Sequence, residues 1–373
     1  MPSWHTLVSR MKLPRTRRFG TTFLPIVTGA DRTLRFHLNC STPSLRRCGF
    51  AWRQRSKHCS RINWTNCVVD TVVALALSTA FIACANAGTQ QSTQLLPQIS
   101  TERLFVSTDV VVSADGPARD PDDALALLML MKLGANVVGI STVPGNDDIE
   151  TVNRSALRLV QNPVLYRTRG MHCDAPFIHT LEKIFEKDRT AVVALGPLTS
   201  VAGFIRCRPD LARNITRIIF VGGRRPGEEL YLSDNLLSFT PLRDLNVEVD
   251  RGSLLAVLNA GIPIDLVPFR AGNAVRLSPA YFYSLPTDVA LAMLNWSGAL
   301  WFVGGGGTMP AYDPVAASLA LWPHTFRCQS VSLALEGNEL IARNTTSAAH
   351  RWCEPKDPHQ IRHLVTRALN RPR

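Results

Sequence analysis

From about residue 102 onward, short apolar runs alternate with segments whose apolar residues recur at helical spacing. Runs such as LFVST and RIIFV are rich in β-branched and aromatic residues, whereas DDALALLMLMK and GSLLAVLNA have helical periodicity. This alternation predicts an α/β domain with a mostly parallel, open sheet flanked by helices, a Rossmann-like core. We assign the domain to residues 102–373. From about Thr345 the chain is less patterned until a short basic helix predicted near Ile361–Leu369.

Three segments precede this domain, and the net charge of the chain lies in the first of them. Residues 1–67 carry thirteen Lys and Arg against one acid, a net charge of +12 that equals the charge of the whole chain. The basic pI is therefore no evidence that the domain binds nucleic acid. We expect the leader to be non-globular, either disordered or upstream of the true start. Residues 88–101 are small and polar, which is typical of a linker.

Residues 68–87 contain an apolar run, VVALALSTAFIACA, that is shorter than the roughly 20 residues a membrane helix needs. The run and the small residues Ala83, Ala85 and Ala87 suit the apolar region and exit of a signal peptide. The stretch that ends at Cys84 also resembles a bacterial lipobox. A cleaved signal, a lipidated cysteine, an uncleaved transmembrane anchor and an organellar transit peptide remain alternatives. We expect an exported or membrane-anchored chain, in the periplasm or cell envelope if it is bacterial.

Four cysteines lie in the domain, at spacings that do not indicate a metal-binding pair: Cys173, Cys207, Cys328 and Cys353. The favoured interpretation is that these cysteines are buried, apolar side chains. One or two disulfides are the alternative, because such bonds persist in exported proteins.

Polar or glycine residues follow four of the predicted strands. They are Asp109, Asn146, Thr199 and the pair Gly222-Gly223. In an open α/β sheet, ligands bind outside the carboxyl ends of the strands. We therefore expect these four loops to converge on one crevice.

The densest group of acidic residues begins with Asp109 and continues with Asp120, Asp122 and Asp123 at the start of a predicted helix. Capping is one interpretation, because Asp120 can cap the helix and acids in the first turn complement the helix dipole. Capping does not account for Asp109, which follows the preceding strand. Crowded carboxylates repel unless a cation neutralises them, and Ca²⁺ prefers oxygen ligands. The sequence therefore favours a site for a hard cation such as Ca²⁺ over a plain cap.

Five stretches, taken in order, resemble motifs of the inosine–uridine nucleoside hydrolases. The first joins Ser107-Thr108-Asp109 to Asp122-Asp123-Ala124, which resembles the D-x-D and D-D-A of that family. The others are TVPGN at 142–146, GPLT at 196–199, SFTPLRDLN at 238–246 and YDPVA at 312–316. The resemblance covers about 102–345 and implies the fold of these hydrolases.

The resemblance also implies a reaction. Ca²⁺ would be held by Asp109, Asp123, Asp313 and the backbone carbonyl of Thr199, and a water on the metal would be the nucleophile. Asp109 would take the proton as general base. The bond broken would be the N-glycosidic bond of a nucleoside or related N-riboside, through an oxocarbenium-like transition state. The sugar hydroxyls would be held by Asp122, Asn146, Asp244 and Asn246.

Four positions depart from the family's pattern. Ser107 stands where the family usually has its first Asp, and Ser238 replaces an Asn expected near the 5′-hydroxyl. Asp244 replaces a Glu, which shortens the reach to the sugar. Tyr312 replaces the His that helps to protonate the leaving base, and a tyrosine with a reference pKa near 10 is a weaker acid. We predict a divergent member, with Tyr312 as the catalytic candidate on the base side and Ser238 as a substrate contact.

The leading hypothesis is a Ca²⁺-dependent N-glycosyl hydrolase of purine or pyrimidine nucleoside metabolism, which acts on small-molecule ribosides and not on nucleic acid. The alternative is a catalytically weakened, calcium-stabilised module that binds nucleosides or sugars; the changes at Ser107, Ser238 and Tyr312 favour it. A third hypothesis is a nucleic-acid-associated protein that uses the basic leader. Members of the family are commonly dimers or tetramers, so the resemblance also implies a homo-oligomer.

Overall fold

The structure is a computed structural model of the chain, and it describes residues 96–112, 121–165, 172–232, 241–278 and 306–371. The leader 1–67 and the apolar segment 68–87 lie outside these ranges, so the expectations for them stay predictions. Of the described helices, none is both long enough and apolar enough to cross a membrane.

The described strands confirm the predicted sheet. Numbered along the chain, they are β1 (Leu104–Thr108), β2 (Val137–Thr142), β3 (Thr190–Ala194), β4 (Ile215–Val221), β5 (Ile264–Val267), β6 (Arg276–Leu277), β7 (Met309–Pro310), β8 (Phe326–Glu336), β9 (Glu339–Asn344) and β10 (His350–Pro355). Eight of them form one sheet in the order β2-β1-β3-β4-β5-β10-β8-β9. The pairs from β2 to β10 in this order are parallel, and β8 is antiparallel to both β10 and β9. The sheet is therefore mostly parallel, as the alternating pattern predicts.

Helices cover both faces of the sheet. The described helices are α1 (Asp122–Lys132), α2 (Ile149–Leu159), α3 (Pro176–Phe185), α4 (Thr199–Cys207), α5 (Pro209–Ala212), α6 (Leu245–Glu248), α7 (Arg251–Asn259), α8 (Phe269–Ala274), α9 (Tyr312–Leu321) and α10 (Pro358–Leu369). Leu104 and Val106 pack with residues of α1, α9 and α10, whereas Phe105 packs with residues of α3 and α4. Successive strand residues point to opposite faces, so β1 contributes to two separate apolar layers.

Helix α1 is enclosed by the rest of the domain. All of its residues from Asp122 to Leu130 are buried, as expected of a helix that is apolar all round. Gly134 follows it with a φ of +66°, a conformation that suits glycine at the end of a helix. The two residues that open α1 are aspartates, and their burial needs an explanation from the site that they enter.

The end of the chain is more regular than its pattern indicates. The sequence predicts little structure from Thr345 to the basic helix, but β10 lies inside the sheet between β5 and β8. The prediction missed β10 because the strand contains charged residues. Arg351 donates two hydrogen bonds of 2.6 Å to the buried carboxylate of Asp265 on β5, and Arg217 on β4 donates a third, also of 2.6 Å. The predicted C-terminal helix is confirmed as part of α10.

The four cysteines of the domain form two disulfides, Cys173–Cys207 and Cys328–Cys353. The favoured interpretation from the sequence, buried apolar thiols, is therefore wrong, and the alternative is confirmed. The partners are 34 and 25 residues apart, so the fold and not the spacing brings them together. Cys328 and Cys353 are directly opposed on the antiparallel strands β8 and β10.

Removal of the second disulfide is expected to destabilise the domain. A cross-link over 25 residues restricts the unfolded chain and is worth about 3 kcal/mol of unfolding free energy. The double variant Cys328→Ala/Cys353→Ala should lose about this amount in urea unfolding. Reductant should then lower the stability of the variant by less than it lowers that of the wild type. Peptide mapping without reductant is the control, and free thiols at these two positions in the wild type would contradict the prediction.

Candidate active site

The carboxyl ends of neighbouring strands meet at one edge of the sheet, where the following loops contact each other. Asp109 directly follows β1, and its Oδ2 accepts a 2.7 Å hydrogen bond from the backbone N–H of Asn146, which follows β2. The loop after β3 reaches the same carboxylate through Gly196. The predicted convergence of the loops is therefore found for these three strands.

Asp109 is held between two glycines that leave space for its carboxylate. A Cβ atom at Gly145 would lie 2.0 Å from Oδ2 of Asp109, and one at Gly196 would lie 2.5 Å from Oδ1. Asp109 is 1% exposed, and burial raises its pKa to about 7. Its Oδ1 has no hydrogen-bond partner among the described residues. Because an unpaired buried polar atom is unfavourable, we expect this oxygen to contact a ligand.

Three further buried aspartates form the acidic cluster, with one carboxylate oxygen of each within 4.8 Å of the others: Asp122, Asp123 and Asp313. Asp122 and Asp123 open α1, and Asp313 lies in the first turn of α9. The backbone N–H of Asp313 donates a 2.9 Å hydrogen bond to Oδ2 of Asp122, which joins the starts of the two helices. The cluster therefore depends on the packing of α9 against α1.

Asp123 connects the acidic cluster to the strand ends. Its Oδ1 accepts a hydrogen bond from the Thr108 hydroxyl, and its Oδ2 accepts one of 3.1 Å from Nδ2 of Asn146. Burial, and then the negative charges of Asp109 and Asp122, raise the pKa of Asp123 well above its ordinary value. Among the described residues no side chain makes a capping hydrogen bond at Pro121, which precedes α1, and a cap would in any case not explain two buried acids in the first turn. Asp120, the residue suggested as the cap, lies outside the described residues.

The atoms of the acidic cluster fit a hard divalent cation. They are carboxylate oxygens, which Ca²⁺ and Mg²⁺ prefer, whereas structural zinc sites are built largely from Cys and His. Several ionised carboxylates this close in a buried site are stable together only when positive charge compensates them. The Oδ1 of Asp109, unpaired among the described residues, is a further carboxylate oxygen at this edge of the sheet, although Asp109 is not a member of the acidic cluster.

Thr199 is not joined to the acidic cluster by any contact of the described residues. It is the first residue of α4, and its hydroxyl donates a 2.7 Å hydrogen bond to Asp250. The carbonyl of a residue at the start of a helix points along the helix towards its carboxyl end. The hydroxyl bond to Asp250 does not test this carbonyl as a metal ligand, and the role implied by the resemblance stays a prediction.

Asp244 and Asn246 hold the neighbouring strand ends in place. Buried Asp244 caps α6, accepting hydrogen bonds from the backbone N–H groups of Gly223 at 2.8 Å and Val247 at 3.2 Å. Burial raises the pKa of Asp244 to about 7. Nδ2 of Asn246 donates to two backbone carbonyls, those of Leu195 at 2.8 Å and Val221 at 3.1 Å. Both side chains reach the predicted edge of the sheet, and both already have backbone partners.

Tyr312 begins α9, directly before Asp313. Its side chain is 4% exposed, and its hydroxyl donates a 3.0 Å hydrogen bond to Oδ1 of Asn273 on α8. The sequence motifs do not include Asn273; the only signal for it is that it belongs to the helix that follows β5 at this edge. Ser238 lies outside the described residues, so its predicted contact with substrate stays a prediction.

Ser107, which stands where the resemblance expects a carboxylate, belongs to a buried group of hydroxyls. Its Oγ lies 2.9 Å from Oγ of Ser200, which in turn lies 3.4 Å from Oγ of Ser141. The three side chains are 0% exposed. These serines pair with each other and add no negative charge beside Asp109. Ser141 and Ser200 are also absent from the motifs, although each lies next to a residue that the motifs include.

Comparison with known proteins identifies the family. The sequence model of the inosine–uridine preferring nucleoside hydrolases matches residues 171–371, just over half of the 373 residues. A curated relative, the non-specific ribonucleoside hydrolase RihC of Salmonella schwarzengrund (strain CVM19633), is 27% identical over 231 residues. That match covers 60% of this chain and 66% of the relative, so the chain spans slightly less than two thirds of the relative's length.

Two solved structures share the fold. The plant nucleoside hydrolase PpNRh1 has a TM-score of 0.55 at 17% identity, and the match covers 73% of this chain and 100% of that one. The purine-preferring ribonucleoside hydrolase from Gardnerella vaginalis has a TM-score of 0.55 at 14% identity, with 72% and 98% covered. Together with the sequence match over residues 171–371, these likenesses of fold lead to one assignment. The chain belongs to the inosine–uridine preferring nucleoside hydrolase family.

Proposed function

We propose that this protein is a Ca²⁺-dependent hydrolase that cleaves the N-glycosidic bond of ribonucleosides or related N-ribosides. The observation that carries the proposal is the buried acidic cluster at the carboxyl edge of the sheet, beside an Asp109 whose Oδ1 is unpaired among the described residues. The names of the relatives, which are ribonucleoside hydrolases, support the substrate class. We propose no preference among the bases.

Asp123 and Asp313 are the metal ligands on which the motifs and the geometry agree. The geometry adds Asp122 as the third member of the cluster, whereas the motifs favour Asp109 and Thr199. We infer that Asp123 and Asp313 hold the cation and that Asp122 or Asp109 completes the set of carboxylate ligands. When bound, the cation supplies a Lewis acid that makes water a better nucleophile near neutral pH.

Asp109 is proposed as the base that accepts the proton of the attacking water. Its Oδ2 is fixed by the backbone N–H of Asn146, while its Oδ1 has no described partner and is available to accept a proton. Gly145 and Gly196 enclose the carboxylate closely, so its orientation is fixed before substrate binds. A base held in this way contributes about 10²- to 10⁴-fold to the rate.

The sugar is proposed to bind above the carboxylates. Cleavage of the N-glycosidic bond leaves positive charge on the sugar ring, and buried negative charge stabilises it. Asp122 and Asn146 belong to the contacts of the acidic cluster and can meet the sugar hydroxyls there. Asp244 and Asn246 would bind the sugar with the lone pairs that their backbone partners leave unused.

We also infer that the protein is exported and forms homo-oligomers. Two disulfides in one domain support an oxidising compartment, which agrees with a signal or anchor at 68–87. The homo-oligomer follows from the resemblance alone. Identification of the mature N-terminus in protein from its native cells tests export, and an intact leader would count against cleavage of a signal. Light scattering of the purified chain tests oligomerisation, and a monomer would count against the homo-oligomer.

Replacement of Asp109 is expected to abolish most of the hydrolysis. Asp109→Ala removes the proposed base, so kcat on ribonucleosides should fall by about 10²- to 10⁴-fold with little change in stability at saturating Ca²⁺. Release of reducing sugar from a panel of purine and pyrimidine ribosides measures this effect. Asp188→Ala is the matched control, because the side chain of Asp188 is 76% exposed and should not affect kcat.

Two outcomes of this assay would contradict the proposal. Full activity of Asp109→Ala would show that another group accepts the proton. Nucleoside binding by the wild type without release of sugar from any riboside would favour the alternative, a calcium-stabilised module that binds nucleosides or sugars.

Removal of a carboxylate from the acidic cluster is expected to have opposite effects on thermal stability in the presence and in the absence of the cation. Asp123→Asn removes a buried negative charge next to Asp109 and Asp122, so the metal-free protein should be as stable as the wild type or more stable. Saturating Ca²⁺ should raise the Tm of the wild type by about 5–10 °C, since a ligand at 100 times its Kd adds about 2.7 kcal/mol. The variant should lose this increase.

Differential scanning fluorimetry with EDTA and with Ca²⁺ measures both effects. Asp357→Asn serves as the control, since asparagine can also cap α10 and any change in Tm should be small and equal in both conditions. If Ca²⁺ raised the Tm of Asp123→Asn by as much as it raises that of the wild type, the acidic cluster would be ruled out as the metal site.

A further inference from the structure

We propose that Tyr312 is a positioning residue, which fixes the start of α9 and thereby the metal ligand Asp313, and that it is not the acid that protonates the leaving base. This inference rests on the proposed function for its kinetic measurements, but its main measurement, the affinity for Ca²⁺, does not require hydrolysis. The observation that carries it is the contact of Tyr312 with α8.

The proton of the Tyr312 hydroxyl is already donated within the protein. Asn273 donates a 2.8 Å hydrogen bond from Nδ2 to the backbone carbonyl of Tyr231, which fixes the orientation of its amide group. Oδ1 of Asn273 therefore faces Tyr312, and the hydroxyl 3.0 Å away must be the donor. To protonate a leaving base, Tyr312 would first have to break this bond.

The ring of Tyr312 is held as tightly as its hydroxyl. Phe269 packs against it edge to face, with ring centroids 5.1 Å apart. On another side the ring lies against Gly272, where a Cβ atom would come within 2.2 Å of Cδ1 of Tyr312. With 4% of its surface exposed, the ring fills a space between α8 and α9 that only glycine at 272 leaves open.

These contacts act on Asp313 because the two residues are neighbours in the first turn of α9. The residue before them, Ala311, donates its backbone N–H to the carbonyls of Val275 at 3.0 Å and Gly272 at 3.3 Å. On the other side, the backbone N–H of Asp313 donates to Asp122 at 2.9 Å. The start of α9 is therefore fixed between α8 and α1. A shift of Tyr312 would move Asp313 relative to Asp122 and Asp123.

The chemistry of the side chain agrees with this role. A phenol with a reference pKa near 10 is a weak acid at neutral pH, but it is a good hydrogen-bond donor with a rigid body. A positioning residue needs the hydrogen-bond donor and the rigid ring, but it does not need to be an acid. Tyr312 therefore suits the contact with Asn273 and Gly272 better than the transfer of a proton.

A double-mutant cycle on the full chain tests the proposal. Tyr312→Phe and Asn273→Ala should each weaken Ca²⁺ binding by about 3- to 10-fold, measured by isothermal titration calorimetry, because each removes the same buried hydrogen bond. Because Asn273→Ala also removes the hydrogen bond to the carbonyl of Tyr231, the double variant should bind Ca²⁺ as weakly as Asn273→Ala alone. In assays at saturating Ca²⁺, Tyr312→Phe should keep the pH profile of kcat of the wild type.

Ser318→Ala is the matched control on the same helix. Ser318 donates a 2.7 Å hydrogen bond to the carbonyl of Pro314, a bond within α9 itself, so its replacement should leave the Ca²⁺ affinity unchanged. Loss of affinity in this variant equal to that in Tyr312→Phe would mean that any weakening of α9 has the effect, and the specific role of Tyr312 would be wrong.

The remaining outcomes separate this proposal from the proposed function. Unchanged Ca²⁺ affinity in Tyr312→Phe, with kcat lowered 100-fold or more and the basic limb of its pH profile lost, would make Tyr312 the acid. Additive losses in the double variant would overturn the coupling through Asn273. Coupled losses of affinity in a chain that hydrolyses no riboside would support the positioning role while the proposed hydrolase activity fails. A wild type that binds no Ca²⁺ would overturn the positioning role itself.

Discussion

Repulsion among buried carboxylates is the constraint on which the rest of the site depends. Four aspartates, Asp109, Asp122, Asp123 and Asp313, meet at the edge of the sheet with no more than 3% of their surfaces exposed. An ionised group out of water is unfavourable by several kcal/mol unless partners compensate it. Donors from the surrounding backbone and hydroxyls supply part of this compensation, and a bound cation would supply the rest.

The architecture brings partial positive charge to the same place. Helices α1 and α9 both begin at the acidic cluster, so the backbone N–H groups of their first turns face the carboxylates. The strand ends add further donors, namely the backbone N–H of Asn146 and the hydroxyl of Thr108. Ser107, whose hydroxyl pairs with that of Ser200, limits the number of negative charges that these donors must balance.

The type of fold and the crowding of Asp122 and Asp123 at the start of α1 could be predicted from the sequence, because both depend on local signals, whereas Asp313 entered only through the resemblance. Alternating strands and helices place polar residues at strand ends, and the crowding of aspartates before α1 is visible in the chain itself. Asp122 was expected at the sugar, but the structure groups it with Asp123 and Asp313. That difference arises because Asp313, 190 residues further on, approaches α1 only through the packing of α9.

Contacts that join distant segments were not predictable. Asn273 carries no motif, and its pairing with Tyr312 depends on how α8 lies against α9. The disulfides were only the alternative interpretation of the four cysteines for the same reason, since neither spacing is characteristic. Strand β10 was missed because Arg351 makes it resemble a polar loop; only the buried carboxylate of Asp265, 86 residues earlier, makes an arginine suitable there.

The place of β10 in the sheet also affects how the chain is made. It is the last of the described strands along the chain, yet it lies between β5 and β8 and connects the parallel strands to the β8–β9 hairpin. N-terminal segments leave the ribosome first, so β5 has an open edge until Pro355 has been synthesised. Open edges of this kind pair with other chains. The nascent protein is therefore prone to aggregation until β10 has emerged and covers the edge of β5.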